Sequence, residues 1–103
     1  MNHPELQPVL ERILEVVPAQ QIILFGSRVK GQAHPDSDYD LLVVVPPELP
    51  KRPTAQSIHR ALLGLLVPVD LVVAHPADLE RYRTAWMTIY PEALKGGQVL
   101  YAA

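Results

Sequence analysis

The sequence predicts a small α/β (α+β) domain in which helices flank a mixed β-sheet of three to four strands. Three observations support this fold class. A chain of 103 residues is most simply one domain, here taken as residues 1–103. Its hydrophobic fraction of 49% and slightly positive mean hydropathy favour a folded core over disorder. Short apolar runs of strand length also alternate with segments whose apolar residues recur at helical spacing.

Residues 4–17 predict an amphipathic first helix. We expect Asn2 to cap it, Pro4 to lie in its first turn, where proline is tolerated, and Pro18 to end it. Six apolar residues recur at three- and four-residue spacing and would face the core: Leu6, Val9, Leu10, Ile13, Leu14 and Val17.

The strands and the second helix follow in order. Residues 21–25 are apolar almost without alternation, as in a strand covered on both faces, and residues 39–45 and 68–74 predict two more strands. Residues 54–66 predict a helix with Thr54 as its N-cap. From residue 76 onward the pattern is helical, and residues 98–101 are predicted to be extended and to fold back on the domain.

Composition excludes several function classes. The formal net charge is −2, whereas proteins that bind nucleic-acid phosphates usually carry a basic surface, so we expect no direct nucleic-acid contact. The absence of cysteine excludes disulfides and thiolate metal sites. We see neither a secretory leader nor an apolar run of membrane length, and we therefore expect a cytoplasmic protein that does not bind membranes.

Two aspartates at the start of the second predicted strand are candidate ligands of a divalent cation. Asp38 and Asp40 are two residues apart, so in a strand they point to the same face, while Tyr39 points to the other. Their like charges repel unless a cation lies between them, and Mg2+ favours carboxylate oxygens shared with substrate phosphates.

A glycine-serine turn after the first predicted strand is the candidate phosphate site. Gly26 lets the backbone approach closely, and Ser27 offers a hydroxyl and a backbone N–H. The P-loop pattern is excluded, because Gly31 is followed by Gln32 and Ala33, and the Rossmann glycine spacing is absent. Taken separately, the acidic pair could be simply solvated and the glycine-serine pair an ordinary turn. Their combination at two buried-looking strands favours a site.

Three further residues are candidates near this site. Asp70 is the one polar residue in an apolar run, so it needs either a cation partner or an edge position that faces water, and we favour the metal ligand. Arg28 and Lys30 lie beside the expected triphosphate; one of them contacts phosphate, or both are exposed cations. The sequence assigns no role to His34, His59 or His75.

Gly26-Ser27, ten intervening residues and Asp38-Tyr39-Asp40 resemble the GS-x10-D-x-D signature of the DNA polymerase β-like nucleotidyltransferase superfamily. The local sequence GSRVKG…SDYDLLVVV is similar to that of the superfamily's smallest branch, the minimal nucleotidyltransferases (MNT), which include MntA-type antitoxins. The resemblance covers most of the chain. It implies Mg2+-dependent transfer of a nucleotidyl group from ATP, and it also supports Asp70 as the third acidic residue, on a later strand.

The resemblance implies a specific division of roles. Asp38 and Asp40 would hold two Mg2+ ions about 3.5–4 Å apart, and Asp70 would hold the catalytic ion or accept the proton of the attacking hydroxyl. Gly26 and Ser27 would bind the β- and γ-phosphates.

Many MNT proteins are antitoxins that adenylylate a tyrosine of a HEPN-domain RNase toxin, and we expect such a partner here. Two alternatives stay open, a small-molecule nucleotidyltransferase of the antibiotic-modifying type and an antitoxin that acts by binding alone. The sequence does not decide the acceptor, the nucleotide preference or whether the chain forms a homo- or hetero-oligomer.

Overall fold

The computed structural model describes residues 3–25, 38–82 and 97–103, with the backbone alone at residues 81 and 82. Four strands form one mixed sheet in the order β3-β2-β1-β4. Strand β1 is antiparallel to β2 and to β4, while β2 and β3 are parallel. The strands are β1 Gln21–Phe25, β2 Tyr39–Val44, β3 Val69–Ala74 and β4 Gln98–Ala102. This confirms the predicted fold class and places the fourth strand at the edge beside β1.

The first helix is shorter than the sequence predicted. A 3-10 turn occupies Pro4–Leu6, and the α-helix proper, α1, spans Gln7–Val16. Val17 is extended, because Pro18 disfavours helical geometry in the residue before it. Val9, Leu10 and Ile13 are buried as expected, whereas Leu14 is 36% exposed and lies at the margin of the apolar face. The expected cap, Asn2, lies outside the described residues.

The second helix, α2, spans Lys51–Ala61, so both predicted ends and the predicted cap at Thr54 are wrong. Pro53 lies in the first turn, where a missing N–H removes no helical hydrogen bond, so it does not block an earlier start. The N–H of Thr54 donates to the carbonyl of Pro50 at 3.1 Å, and Thr54 is buried inside the helix. The chain leaves helical geometry through Gly64, whose φ is +90°.

The two faces of the sheet are covered by different elements, which explains the lack of alternation in β1 and β2. One face packs against α1 and α2 in the main core. The strand residues buried there are Ile22, Leu24, Tyr39, Leu41, Val43 and Val73. The other face, called here the second face, carries Ile23, Phe25, Leu42 and Ala74, with Leu79 packed against them. Leu79 belongs to α3, Pro76–Tyr82.

The helix predicted from residue 76 onward is thus observed as far as Tyr82, and its predicted continuation lies outside the described residues. The extended segment predicted over residues 98–101 is β4, which pairs with β1 across an irregularity between Ile22 and Ile23. In the described part of the chain, no helix combines the length and apolar character needed to cross a membrane.

Candidate functional site

Asp40 and Asp70 are neighbours across β2 and β3. The two residues are register partners in the parallel pair, and on the other side of Asp40 the partner in β1 is Phe25. Register partners point to the same face, and neighbouring strands lie about 4.8 Å apart. The backbone therefore arranges Phe25, Asp40 and Asp70 as one row across three strands.

This row lies on the second face of the sheet. Tyr39 and Leu41 are buried in the main core under α1 and α2, so the intervening Asp40 must point the other way, as Leu42 does. Phe25 is buried, Asp40 is half-buried and Asp70 is exposed. The row thus combines a buried aromatic ring with two carboxylates that reach progressively further into solvent.

Asp38 lies at the same end of the sheet, one residue before β2, and is exposed. The N–H of Tyr39 donates to the carbonyl of Pro68 at 2.9 Å and so ties the chain beside Asp38 to the start of β3. Across residues 3–25, 38–82 and 97–103, no group of three or more His, Cys, Asp or Glu side chains is close enough to hold a metal ion. The structure therefore pairs Asp40 with Asp70 and brings Asp38 to the same end of the sheet, without a closed three-carboxylate cluster. This end, defined by Asp38, Asp40 and Asp70, is called here the carboxylate edge.

The donor set at this edge fits a hard divalent cation. Carboxylate oxygens, at least partly accessible to water, are what Mg2+ uses while it keeps several of its own waters. A thiolate site for a soft metal is excluded, because the chain contains no cysteine. The like charges of Asp40 and Asp70 on adjacent strands also give a cation a direct electrostatic benefit.

The predicted phosphate-binding residues Gly26, Ser27, Arg28 and Lys30 lie outside the described residues, as does His34. The described chain leaves the sheet at Phe25 and returns at Asp38. Because Phe25 is the register partner of Asp40, the described residues on either side of this segment lie at the end of the sheet that carries the aspartates.

A second polar cluster lies at the other end of β3. The Asp78 carboxylate accepts the backbone N–H of His75 at 2.9 Å and pairs with the Lys51 ammonium at 2.6 Å. The His75 ring Nε2 donates to the carbonyl of Leu49 at 2.7 Å. Burial alone raises the pKa of Asp78, but the hydrogen bonds from Lys51 and His75 and the nearby positive charge outweigh it, and the pKa falls below its ordinary value.

These contacts make Asp78 the side chain that joins the starts of α2 and α3 to the end of β3. Asp78 caps α3 from its third position, a pattern readable in principle from the spacing of His75-Pro76-Ala77-Asp78, although the sequence analysis did not identify it. His75 lies five residues beyond Asp70, about 16 Å along the strand. His75 thus serves the packing of this end, and His59 is exposed.

A cleft of about 590 Å³ lies at this second end as well. Its described lining residues are Gln20, Gln21, Val44, Pro76, Leu79, Glu80 and Ala103. Among its described lining residues the cleft has the side-chain amides of Gln20 and Gln21 and the carboxylate of Glu80, whereas the opposite end of the sheet has carboxylates on adjacent strands. The carboxylate edge is therefore the better candidate for chemistry that requires a metal and a phosphate.

Comparison with known proteins identifies the family and the fold. Residues 6–91 match the protein family described as "Nucleotidyltransferase domain". The structure of a toxin-antitoxin with AMP-PNP contains a chain with TM-score 0.68 and 23% identity, covering 100% of this chain and 75% of that one. A protein from Sulfolobus solfataricus, described as a candidate nucleotidyltransferase, gives TM-score 0.67 and 20% identity, over 95% and 78% of the two chains.

A third similar structure is a tri-AMPylated HEPN toxin from Shewanella oneidensis in complex with an MNT antitoxin. Its TM-score is 0.64 at 19% identity, over 100% of this chain and 74% of that one. At such identities the structural likeness shows the fold. No curated protein matches the sequence closely enough to count as a relative.

Proposed function

The chain belongs to the nucleotidyltransferase domain family, and from this premise we propose that it transfers AMP from ATP to a tyrosine of a HEPN-domain toxin and so acts as the antitoxin. The observation that carries the proposal is the register pairing of Asp40 with Asp70, with Asp38 at the same edge. Nucleotidyl transfer needs carboxylates that hold Mg2+ beside the reacting phosphate, and this edge supplies them.

The side chains at this edge would divide the work as follows. Asp38 and Asp40 would hold Mg2+, which supplies charge stabilisation at the attacking and leaving oxygens when it is bound. Asp70, the most exposed carboxylate of the row, would be the third ligand of the cation, and it would also take the proton from the acceptor hydroxyl as that oxygen attacks the α-phosphorus. The bond from the α-phosphorus to the bridging oxygen breaks, and pyrophosphate leaves.

The backbone N–H groups and hydroxyl at Gly26 and Ser27 would bind the β- and γ-phosphates. A positive charge from Arg28 or Lys30 would stabilise the leaving pyrophosphate. Support for this role comes from the two residues on either side of the segment, because Phe25 is the register partner of Asp40 and Asp38 lies one residue before β2.

The proposed acceptor comes from the similar structures. One of them binds AMP-PNP in a toxin-antitoxin complex, and another contains an AMPylated HEPN toxin with its MNT antitoxin. The exposure of Asp38 and Asp70 supports an acceptor that arrives on a second molecule, because the carboxylates remain open to the solvent on the second face of the sheet.

The test begins with a search for a HEPN reading frame beside the gene of this chain; the protein it encodes is co-expressed with this chain and then analysed by mass spectrometry. We expect a tyrosine to gain AMP with wild type and with the control Glu15→Gln, an exposed carboxylate on α1. We expect Asp40→Asn to abolish the modification and Asp70→Asn to slow it by about 10²- to 10⁴-fold. Wild-type transfer by Asp40→Asn would contradict the assignment.

The two alternative functions give different results in the same experiment. A stable complex of the two proteins in which the toxin is inactive, although it carries no added AMP, would indicate an antitoxin that acts by binding alone. The absence of a neighbouring HEPN reading frame, together with AMP transfer to a small hydroxylated acceptor, would indicate the small-molecule nucleotidyltransferase. Either result would overturn the tyrosine as acceptor.

A further inference from the structure

We propose that Tyr39 is a positioning residue of the carboxylate edge: its buried ring holds Asp38 and Asp40 in place to bind a divalent cation together with Asp70. The proposal rests on the function proposed above and adds to it a residue on the opposite face of the sheet. It concerns how the cation ligands are held, and it assigns Tyr39 no contact with nucleotide or acceptor.

The ring of Tyr39 is fixed on the face away from the carboxylates. Tyr39 is only 4% exposed and belongs to the main core under α1 and α2. Its ring meets the ring of His3 edge to face, with centroids 5.7 Å apart and an interplanar angle of 77°. The carbonyl of His3 accepts the N–H of Leu6 at 3.0 Å, so the backbone of this partner residue is held by the turn that precedes α1.

The backbone of Tyr39 is fixed to the strand that carries Asp70. Its N–H donates to the carbonyl of Pro68 at 2.9 Å, and its register partner in β3 is Val69. The ring and the N–H together therefore hold the residue between the two aspartates from two directions.

This anchor matters because the carboxylates tend to separate. Asp38 lies outside β2 and is exposed, and the next described strand residue after it is Tyr39 itself. Like charges on Asp38, Asp40 and Asp70 favour spreading when no cation is bound. An anchored Tyr39 limits that movement, so a smaller part of the cost of gathering the ligands falls on cation binding.

The experiment measures Mn2+ binding alone, by calorimetry, without nucleotide or transfer. The variants are Tyr39→Val, which keeps a strand-compatible side chain but removes the ring, Tyr39→Phe, which keeps the ring, and His3→Ala, which removes its partner. The control is Val43→Ala, on the same strand and the same buried face but about 13 Å from Tyr39. Thermal unfolding of each variant reports its loss of stability.

We expect Tyr39→Val to weaken Mn2+ binding by about 10- to 100-fold, the range found when residues behind metal ligands are changed. Tyr39→Phe should bind as wild type does, and His3→Ala should fall between them. Val43→Ala should lose stability and keep its affinity. If Tyr39→Val does not fold, the comparison of His3→Ala with Val43→Ala decides the question.

Three outcomes overturn the proposal in distinguishable ways. Equal Mn2+ affinity in wild type, Tyr39→Val and His3→Ala would reject the positioning role while leaving the proposed function intact. Equal weakening by Tyr39→Phe and Tyr39→Val would show that the ring is not the anchor. Binding that survives in Asp40→Asn, or no binding by wild type, would reject the carboxylate edge and with it the proposed function.

Discussion

Replacing Asp70 with asparagine should make the metal-free protein more stable and the metal-bound protein less stable. Asp70 and Asp40 are register partners on parallel strands, and their side chains lie on the same face. Asparagine keeps the size and the polarity of the side chain but removes one of two like charges. The same carboxylate is a proposed cation ligand, so the change acts with opposite sign in the two states.

The magnitude follows from the spacing of the strands. Two carboxylates about 5 Å apart repel by about 0.8 kcal/mol in a water-like dielectric, which suits the exposed Asp70. Physiological salt screens this to about half. The metal-free variant should therefore gain about 0.4–0.8 kcal/mol of unfolding free energy, equivalent to about 2–4 °C in Tm for a domain of this size.

Saturating cation should reverse the order. A ligand at one hundred times its Kd adds about 2.7 kcal/mol to the wild type, and weaker binding by Asp70→Asn forfeits part of that gain. The assay is thermal unfolding at low salt with chelator and again with millimolar Mn2+. The exposed Glu15→Gln on α1 serves as the charge-matched control. A variant no more stable than wild type in chelator, or equal stabilisation of both by Mn2+, would refute the reasoning.

Two further predictions concern stability. Asp78→Asn should cost about 1 kcal/mol at pH 7, because the Lys51 ammonium and the His75 N–H would then donate to a neutral amide oxygen instead of a carboxylate. The pKa of Asp78 is lowered in the folded state, so its contribution is present above the unfolded value of 3.8 and is lost as pH falls through the folded pKa; urea unfolding at pH 7 and pH 3 should show the wild-type advantage shrinking, and a constant difference would contradict this. Leu66→Asn should raise the unfolding free energy by about 0.5 kcal/mol, because Leu66 has φ +59° at 94% exposure, and asparagine adopts that left-handed backbone more readily; Gly64→Ala, at φ +90°, should lower it by about 1 kcal/mol, and a calorimetric Tm that moves in the other direction for either variant would contradict the strain argument.

The strands were predictable from sequence because their apolar runs are long enough and bounded by prolines, glycines and aspartates. β1 was located at its observed bounds, and β2 and β3 within one residue. The start of α2 was not predictable in this way. Thr54 looks like a cap, yet the helix begins at Lys51, because Pro53 is acceptable in its first turn.

The candidate carboxylates, by contrast, could be identified from the sequence. The spacing of Asp38 and Asp40 around Tyr39 predicts two carboxylates on the same side of an extended chain, although the observed strand begins only at Tyr39. The apolar surroundings of Asp70 marked it as a residue that needs a partner. Local periodicity determines such facts, since it depends only on the backbone geometry of a strand.

Only the tertiary structure decided which strands are neighbours and in what register. No periodicity within β3 says that it lies parallel to β2, or that Asp70 falls opposite Asp40 and not one residue away on the other face. That register is set by the packing of both strands against the helices and by the hydrogen bond from Tyr39 to Pro68. The sequence identified Asp40 and Asp70 as candidate ligands, and long-range packing placed them on adjacent strands in register.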